Sequence, residues 1–571
     1  MTTPRGGNAE LELLRRFEPT LRMTNGERFV PAPVEPFVAG CSLRIDRRGD
    51  TKILAPEGRL DVDSLAAAEA GRVGTFLQYV SEAERSSVRK VRWRLRLDGP
   101  ARLARVGLFG RIADALFRLS LLLRATVPAG VAAGAERKAI DSGLHERPTY
   151  YGRVVRDGGW TVLHYMFFYA MNDWRSAFGG VNDHEGDWEQ IMVFCDGIDS
   201  EFQPRWVAYA SHDYHGDDLR RAWEDRELTT EGNHPVVYVG GGSHASYFLP
   251  GEYVTRIDIP ALRPLMRLQR WFHHISRIEP ESENLGVPFV DRATGDGAAF
   301  GPGGELEWDA RLLDPSASWV ADYRGLWGLD TADVIGGERA PAGPRFNRNG
   351  SVRTSWSDPV GYAGLHKVTP PACEAETWAR RLEDIRAQRA ELIRSFDEAR
   401  DQLRAQVAVG ALSRAEAVAA EARLDDMARA ESQLESEQRR LEQGALAPVD
   451  PRAHLETPAE PEPAVRPTRR RLLNVWASIS APLILAMIAA MLLASGATAV
   501  GFAVGIAVVM AIESLLRKRL LNVAWGTAVI VLLIAVVSLG LQNWQLVLGI
   551  AIAAFAIFVL LVNLRELFVR R

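Results

Sequence analysis

The sequence predicts a multidomain chain: an antiparallel β-sandwich with a helical insertion, then an α-helical coiled-coil hairpin, then a four-helix transmembrane anchor. Three observations carry that prediction. Short apolar runs of period two, punctuated by glycine and proline, dominate the chain up to residue 370. Apolar residues then recur at alternating spacings of four and three, beginning at Trp378. Beyond residue 470 the chain is almost wholly apolar, in four stretches of about 20 residues, each the length of a membrane span.

Taken in order, residues 1–10 are polar and read as disordered, and the β-sandwich domain spans 11–370. Phe17-Glu18-Pro19 and Phe29-Val30-Pro31 read as two short strands about an Asn25-Gly26 turn. An alanine-rich helix is expected near Val62 to Leu77, and Val91 to Leu97 alternates as a strand with an arginine-rich face. At about 101–127, Leu103, Val106, Phe109, Ile112, Leu116, Leu119 and Leu122 recur at helical spacing among arginines. This is the helical insertion, a basic amphipathic helix that packs on its own domain or lies on an anionic membrane surface. Trp160 to Tyr169, Gln190 to Cys195, Arg205 to Ser211 and Pro235 to Val239 read as strands, and Gly295 to Gly350 as long surface loops.

Residues 374–446 form the coiled-coil hairpin. Trp378, Leu382, Ile385, Leu392, Phe396 and Leu403 make one seam, with Arg389 inside it; Leu424, Met427, Leu434 and Leu441 make a second. Gly410 breaks the two, and Ser413 to Glu416 is a capping box. A seam shared with a second chain, giving a homo-oligomer, is the alternative. Residues 447–468, rich in proline and acid, read as a semi-rigid linker. Four transmembrane helices are expected over 472–565: Leu472–Ala494, Ala497–Leu516, Leu520–Leu541 and Trp544–Leu564. Arg469-Arg470-Arg471, Arg517-Lys518-Arg519 and Arg570-Arg571 fall on one side of them, which makes both the N-terminal domain and the C-terminus cytoplasmic. Gly501 and Gly505 offer a small face for helix packing, and Glu513 reads as an ion pair with Arg517.

Composition narrows the function classes. A formal net charge of -4 over 571 residues gives no basic footprint for nucleic acid. Three distant cysteines, Cys41, Cys195 and Cys373, make neither a disulfide framework nor a zinc ribbon.

The chemistry concentrates in Asn182-Asp183-His184-Glu185-Gly186-Asp187-Trp188-Glu189. On a strand, Asp187 and Glu189 share a face, with His184 just before the turn that Gly186 permits. Two hard oxygens and one nitrogen suit a divalent cation, Mg²⁺ or Ca²⁺ first, with Mn²⁺ or Zn²⁺ open; a polar strand entrance is the plainer reading. His212 follows a strand and His244 follows Gly240-Gly241-Gly242, whose bare backbone permits close approach. Either could line the same rim and serve as a catalytic base.

Leu163-His164-Tyr165-Met166-Phe167-Phe168-Tyr169, His184 to Glu189, Ala210-Ser211-His212, His234-Pro235-Val236-Val237-Tyr238 and Gly242-Ser243-His244-Ala245-Ser246-Tyr247 together resemble the vacuolar protein sorting-associated protein sixty-two family. Glu27-Arg28-Phe29-Val30-Pro31 and Val34-Glu35 resemble its N-terminal motif. The resemblance covers residues 11–365 and implies little about activity. The His184, Asp187 and Glu189 pattern also resembles the necrosis- and ethylene-inducing-like proteins. That resemblance implies a metal held in a β-sandwich and supporting contact with a lipid or glycan headgroup, with an upstream aspartate as a further ligand. Asp173 or Asn172 is the nearest candidate for that position, at a spacing that departs from that family. The leading expectation is therefore a membrane-tethered, metal-bearing β-sandwich that binds a ligand or partner. A metal-dependent hydrolase and a structural oligomeric scaffold are the alternatives.

Overall fold

The structure is a computed structural model. It describes residues 5–47, 50–66, 74–88, 111, 127–128, 130–174, 183–197, 202–211, 214–257, 287–331, 340–368, 370, 374–408, 452, 454–464, 466–493 and 497–517, with scattered positions from 420 to 442. Two compact units emerge. The first gathers Met1–Arg94, Leu121–Tyr253 and Asp291–Pro463; the second gathers Leu95–Ser120, Val254–Val290 and Ala464–Arg571.

Sixteen strands are described: β1 (Thr20–Arg22), β2 (Ser42–Arg47), β3 (Asp50–Ala55), β4 (Thr75–Gln78), β5 (Thr149–Asp157), β6 (Trp160–Asn172), β7 (His184–Asp196), β8 (Gln203–Tyr209), β9 (Arg220–Ala222), β10 (Thr230–Glu231), β11 (His234–Val239), β12 (Ser246–Tyr247), β13 (Gly251–Ile257), β14 (Val287–Ala293), β15 (Ala299–Phe300) and β16 (Asp309–Leu312). The largest sheet of the first unit has the order β16-β5-β6-β7-β8-β9, and a second runs β10-β11-β1-β15, with β12 also on β11. Most pairs are antiparallel, but β16–β5 and β1–β11 are parallel. A third sheet is β3-β2-β4, and β13 pairs with β14 in a fourth. The expected antiparallel sandwich is thus corrected to a β-rich unit of mixed sheets.

The reason is visible in β6. A two-layer sandwich leaves one face of each strand to solvent, yet all 13 residues of β6 are buried. Phe168 lies under Phe37, from the helix Val34–Ala39, with ring centroids 4.7 Å apart, and 5.6 Å from Trp327. Its neighbour Tyr169 points to the opposite face, where His244 covers it. Aromatic and β-branched residues make this segment a strand, and coverage on both faces makes it core. The helix expected over Val62–Leu77 gives way to β4, whose Thr75 pairs with Ile45. The helical insertion falls outside the described residues except at Arg111 and Val127.

A helix runs from Glu374 to Ala408. Its buried Leu382 and Ile385 pack with Leu434. Arg386 bridges to Glu442 at 2.8 Å and Arg389 to Glu431 at 2.7 Å, so partners fall in number as the helix advances, an antiparallel sense.

In the second unit, the helices Pro467–Leu493 and Ala497–Arg517 pack on each other. Gly505 supplies the close approach, since a β-carbon there would sit 2.0 Å from Met487 Cε, whereas Gly501 meets nothing. Among the described residues, no helix is long and apolar enough to cross a membrane. This finding overturns the four-helix transmembrane anchor, the bilayer as partner and the placement as an integral membrane protein with cytoplasmic ends. Polar groups interrupt both helices. The first has Arg469-Arg470-Arg471 in its first turn or two and carries Ser478, Ser480 and Pro482 further on. Glu513 of the second accepts from Arg111 Nη2 and, at 2.7 Å, from Trp476 Nε1, while the side chain of Arg517, its expected partner, lies outside the described residues. Arg111 is itself buried and also donates to the Ala477 carbonyl at 3.1 Å. The stretches Leu520–Leu541 and Trp544–Leu564 lie outside the described residues.

Candidate functional site

The site lies in the first unit, where β6, β7 and two loops meet. β7 presents Asp187 opposite Tyr169 of β6. The loop after β11 brings back His244, whose φ of +57° is left-handed, a rare conformation for a residue with a β-carbon. Gly242 just before it is also left-handed, and a β-carbon there would lie 2.8 Å from Asp173 Oδ1. The Asn25-Gly26 turn does not start a second strand; it delivers Glu27 inward from the end of β1.

His244 is fully buried, stacked on Tyr169 with ring centroids 3.9 Å apart and planes 3° from parallel. Its Nδ1 donates to Asp187 Oδ2 at 2.9 Å, and its Nε2 faces Glu27 Oε1 at 3.6 Å, an ion pair rather than a hydrogen bond. Each carboxylate is anchored by further donors. Asn172 Nδ2 donates to Asp187 Oδ2 at 3.2 Å. The Phe29 and Gly242 amides donate to Glu27 at 2.9 and 2.6 Å. Behind the loop, Ser243 Oγ and the Tyr247 hydroxyl donate to buried Asp291 at 2.6 and 2.9 Å.

Burial is the largest influence on His244 and favours the neutral ring, but the bond to Asp187 and the charge of Glu27 outweigh it, so its pKa is pushed up to about 10. Burial also works against both carboxylates, and His244 holds each below its usual range. The cluster is an imidazolium clamped between two carboxylates.

The expected metal ligands do not converge. Gly186 is left-handed and breaks the two-residue alternation at the start of β7. His184 Nδ1 turns back to the Gly186 carbonyl at 3.0 Å. Glu185 points elsewhere and accepts from the Tyr79, Val80 and Leu329 amides. Asp187 belongs to His244. Glu189 lies one step along the same face, close enough for its charge to act on Tyr169 and Arg353. Asp173 pairs with Arg28 at 2.9 Å, though burial still raises its pKa. Among the described residues no group of three His, Cys, Asp or Glu is arranged to hold a metal ion. The residues expected to hold Mg²⁺, Ca²⁺, Mn²⁺ or Zn²⁺, His184, Asp187, Glu189 and Asp173, thus stand in separate environments, and the His244 ring lies between Asp187 and Glu27. His212 lies outside the described residues.

Of the candidates, Asp187 and His244 are joined directly, and Asp173 lies at the rim of the same loop, its amide donating to the Gly242 carbonyl at 3.1 Å. Asn172, the alternative to Asp173, joins the cluster through Asp187; Glu27 and Tyr169 are members that the sequence does not mark. No protein-family model matches the chain, and no curated protein or solved structure matches it either. The family resemblances therefore rest on the quoted motifs alone.

Proposed function

We propose that this chain is a non-enzymatic interaction scaffold, in which the Asp187–His244–Glu27 cluster is a clasp that fixes loops on a rigid β-rich unit bearing a helical arm. One observation carries the reading: His244, the best-placed candidate base, is fully buried, with Nδ1 bonded to Asp187 Oδ2 and Nε2 facing Glu27 Oε1 at 3.6 Å. A general base works when its pKa lies near the operating pH and it reaches the proton it takes. A ring held at about 10 under full burial does neither. The clasp joins segments far apart in sequence, a use suited to rigidity. The arm supports a binding role, because its outer face is charged and exposed while its inner face is closed by Ile385 and Leu434.

The test is a turnover screen of the full chain with phosphomonoester, phosphodiester and carboxylic ester probes, each with Mg²⁺, Mn²⁺ or Zn²⁺ supplied. The expected result is no turnover above blank, with His244→Asn lowering the melting temperature. Turnover that disappears in His244→Asn overturns the proposal in favour of the hydrolase.

A further inference from the structure

Residues 452–463 have the composition of a linker, yet they are docked. They lie in the first unit along the turn Gly216–Leu219, β9 and the start of β13, and six of their bonds to it use their main chain. The Glu456 and Thr457 amides both donate to Asp218 Oδ1, at 2.7 and 3.0 Å. Arg221 Nη2 donates to the Thr457 carbonyl at 2.9 Å. The Ala459 amide donates to Glu227 Oε2 at 3.1 Å, and its carbonyl lies 3.0 Å from the Tyr253 hydroxyl. The Glu462 amide donates to the Glu252 carbonyl at 2.8 Å.

The receiving side is built in advance. Arg221 is fully buried, held by Glu227 at 2.7 Å and by the Asp218 carbonyl at 2.8 Å. Ala459 is fully buried, so only a small side chain fits there. Pro461 lies where a β-carbon on Gly251 would fall, 2.4 Å from the proline Cβ. The amides that the surface uses belong to residues 456, 457, 459 and 462, and none of these is a proline. Pro458, Pro461 and Pro463 occupy the intervening positions, where the surface asks for no donor. Prolines also hold a segment extended before it binds, which reduces the ordering cost.

We infer that Asp218, Arg221, Glu227, Tyr253 and Gly251 form a peptide-recognition groove, filled in cis by residues 456–462 and able to take the same segment from a second copy of this chain. Main-chain bonds supply affinity, and the Ala459 and Pro461 positions supply selectivity, the division seen when extended peptides are read through their backbone. Arg452 closes the cis form at the rim with Asp225 and Glu227. A tethered ligand faces its site at an effective concentration of about millimolar, so a second copy enters when the resident segment is displaced. The groove uses none of Asp187, His244 and Glu27, and the inference stands or falls independently of whether the clasp is catalytic.

The test uses the full chain and a fluorescent peptide of residues 452–463. Ala459→Arg in the chain expels the resident segment, and the peptide then binds about tenfold or more tighter than to the wild type. Arg452→Ala, a half-exposed rim change, gives a smaller gain in the same direction and serves if the first variant folds poorly. A peptide carrying Ala459→Arg does not bind. Mixing the Ala459→Arg chain with an Asp218→Asn chain, one with an open groove and one with a loosened segment, gives a complex that neither forms alone. Equal peptide affinity for wild type and both variants overturns the groove. Peptide gain without the mixed complex overturns the second copy as its occupant.

Discussion

Replacing His244 with asparagine removes the cation from the clasp but suits its backbone, because asparagine is among the few residues that tolerate the left-handed conformation. Two routes give the cost. Removing one partner of a buried ion pair costs about 3–5 kcal/mol, because the remaining charge stays buried without compensation. The shift of the imidazole from 6.5 to about 10 corresponds to about 5 kcal/mol at 1.36 kcal/mol per unit. These are two views of one interaction and are not summed; a loss of about 4 kcal/mol is expected. The pH dependence follows from the direction of the shift. A ring whose pKa is raised on folding stabilises fully below its unfolded value of 6.5, and that stability is lost as pH rises from 6.5 through 10. The two carboxylates act oppositely, contributing above their unfolded values and losing this as pH falls through their depressed ones. Urea unfolding at roughly pH 6, 8 and 10, followed by tryptophan fluorescence, measures the difference between wild type and variant. It is largest near pH 6 and shrinks towards pH 10. A difference below about 1 kcal/mol near pH 6, or one that is flat with pH, refutes the clasp.

Gly186→Ala places a β-carbon 2.2 Å from the Trp327 carbonyl oxygen at a left-handed position; a loss above about 3 kcal/mol is expected, seen as a drop in melting temperature. Glu185 is pushed up to about 7 by burial, against three amide donors. An acid raised on folding costs stability as pH rises from 4.5 to 7, here about 3 kcal/mol, and Glu185→Gln should flatten the unfolding free energy across that window. Glu513→Gln removes the carboxylate charge that pairs with buried Arg111, and destabilisation of about 3–5 kcal/mol should appear as faster proteolysis within the second unit.

Period-two patterning located β6, β7, β8 and β11 within a few residues, because alternation and aromatic content are local signals. The heptad seam likewise began where the Glu374–Ala408 helix begins. The failures are long-range. Nothing local marks Glu27 as a partner for His244, more than two hundred residues away; the Asn25-Gly26 dipeptide signals a turn but not its destination. Asp187 and His244 were both singled out, yet histidine as a metal ligand and histidine as the cation itself look alike in sequence. What separates them is the left-handed Gly186, which scatters His184, Glu185 and Asp187 into three environments. Proline content marks 447–468 as a semi-rigid linker, but the docking of 456–462 depends on the side chains of Asp218 and Arg221, which no composition reveals.

The first strand of the chain occupies an interior place in its sheet. β1 lies between β11 and β15, with Leu21 paired to Val237 on one side and Phe300 on the other. During synthesis neither neighbour exists when β1 leaves the ribosome. At about 5–20 residues per second, the wait for Phe300 is roughly 15–55 seconds. The sheet therefore cannot assemble from the N-terminus outward, and its closure over such separations is intrinsically slow. Until then Leu21, buried in the folded sheet, lacks both of its strand partners.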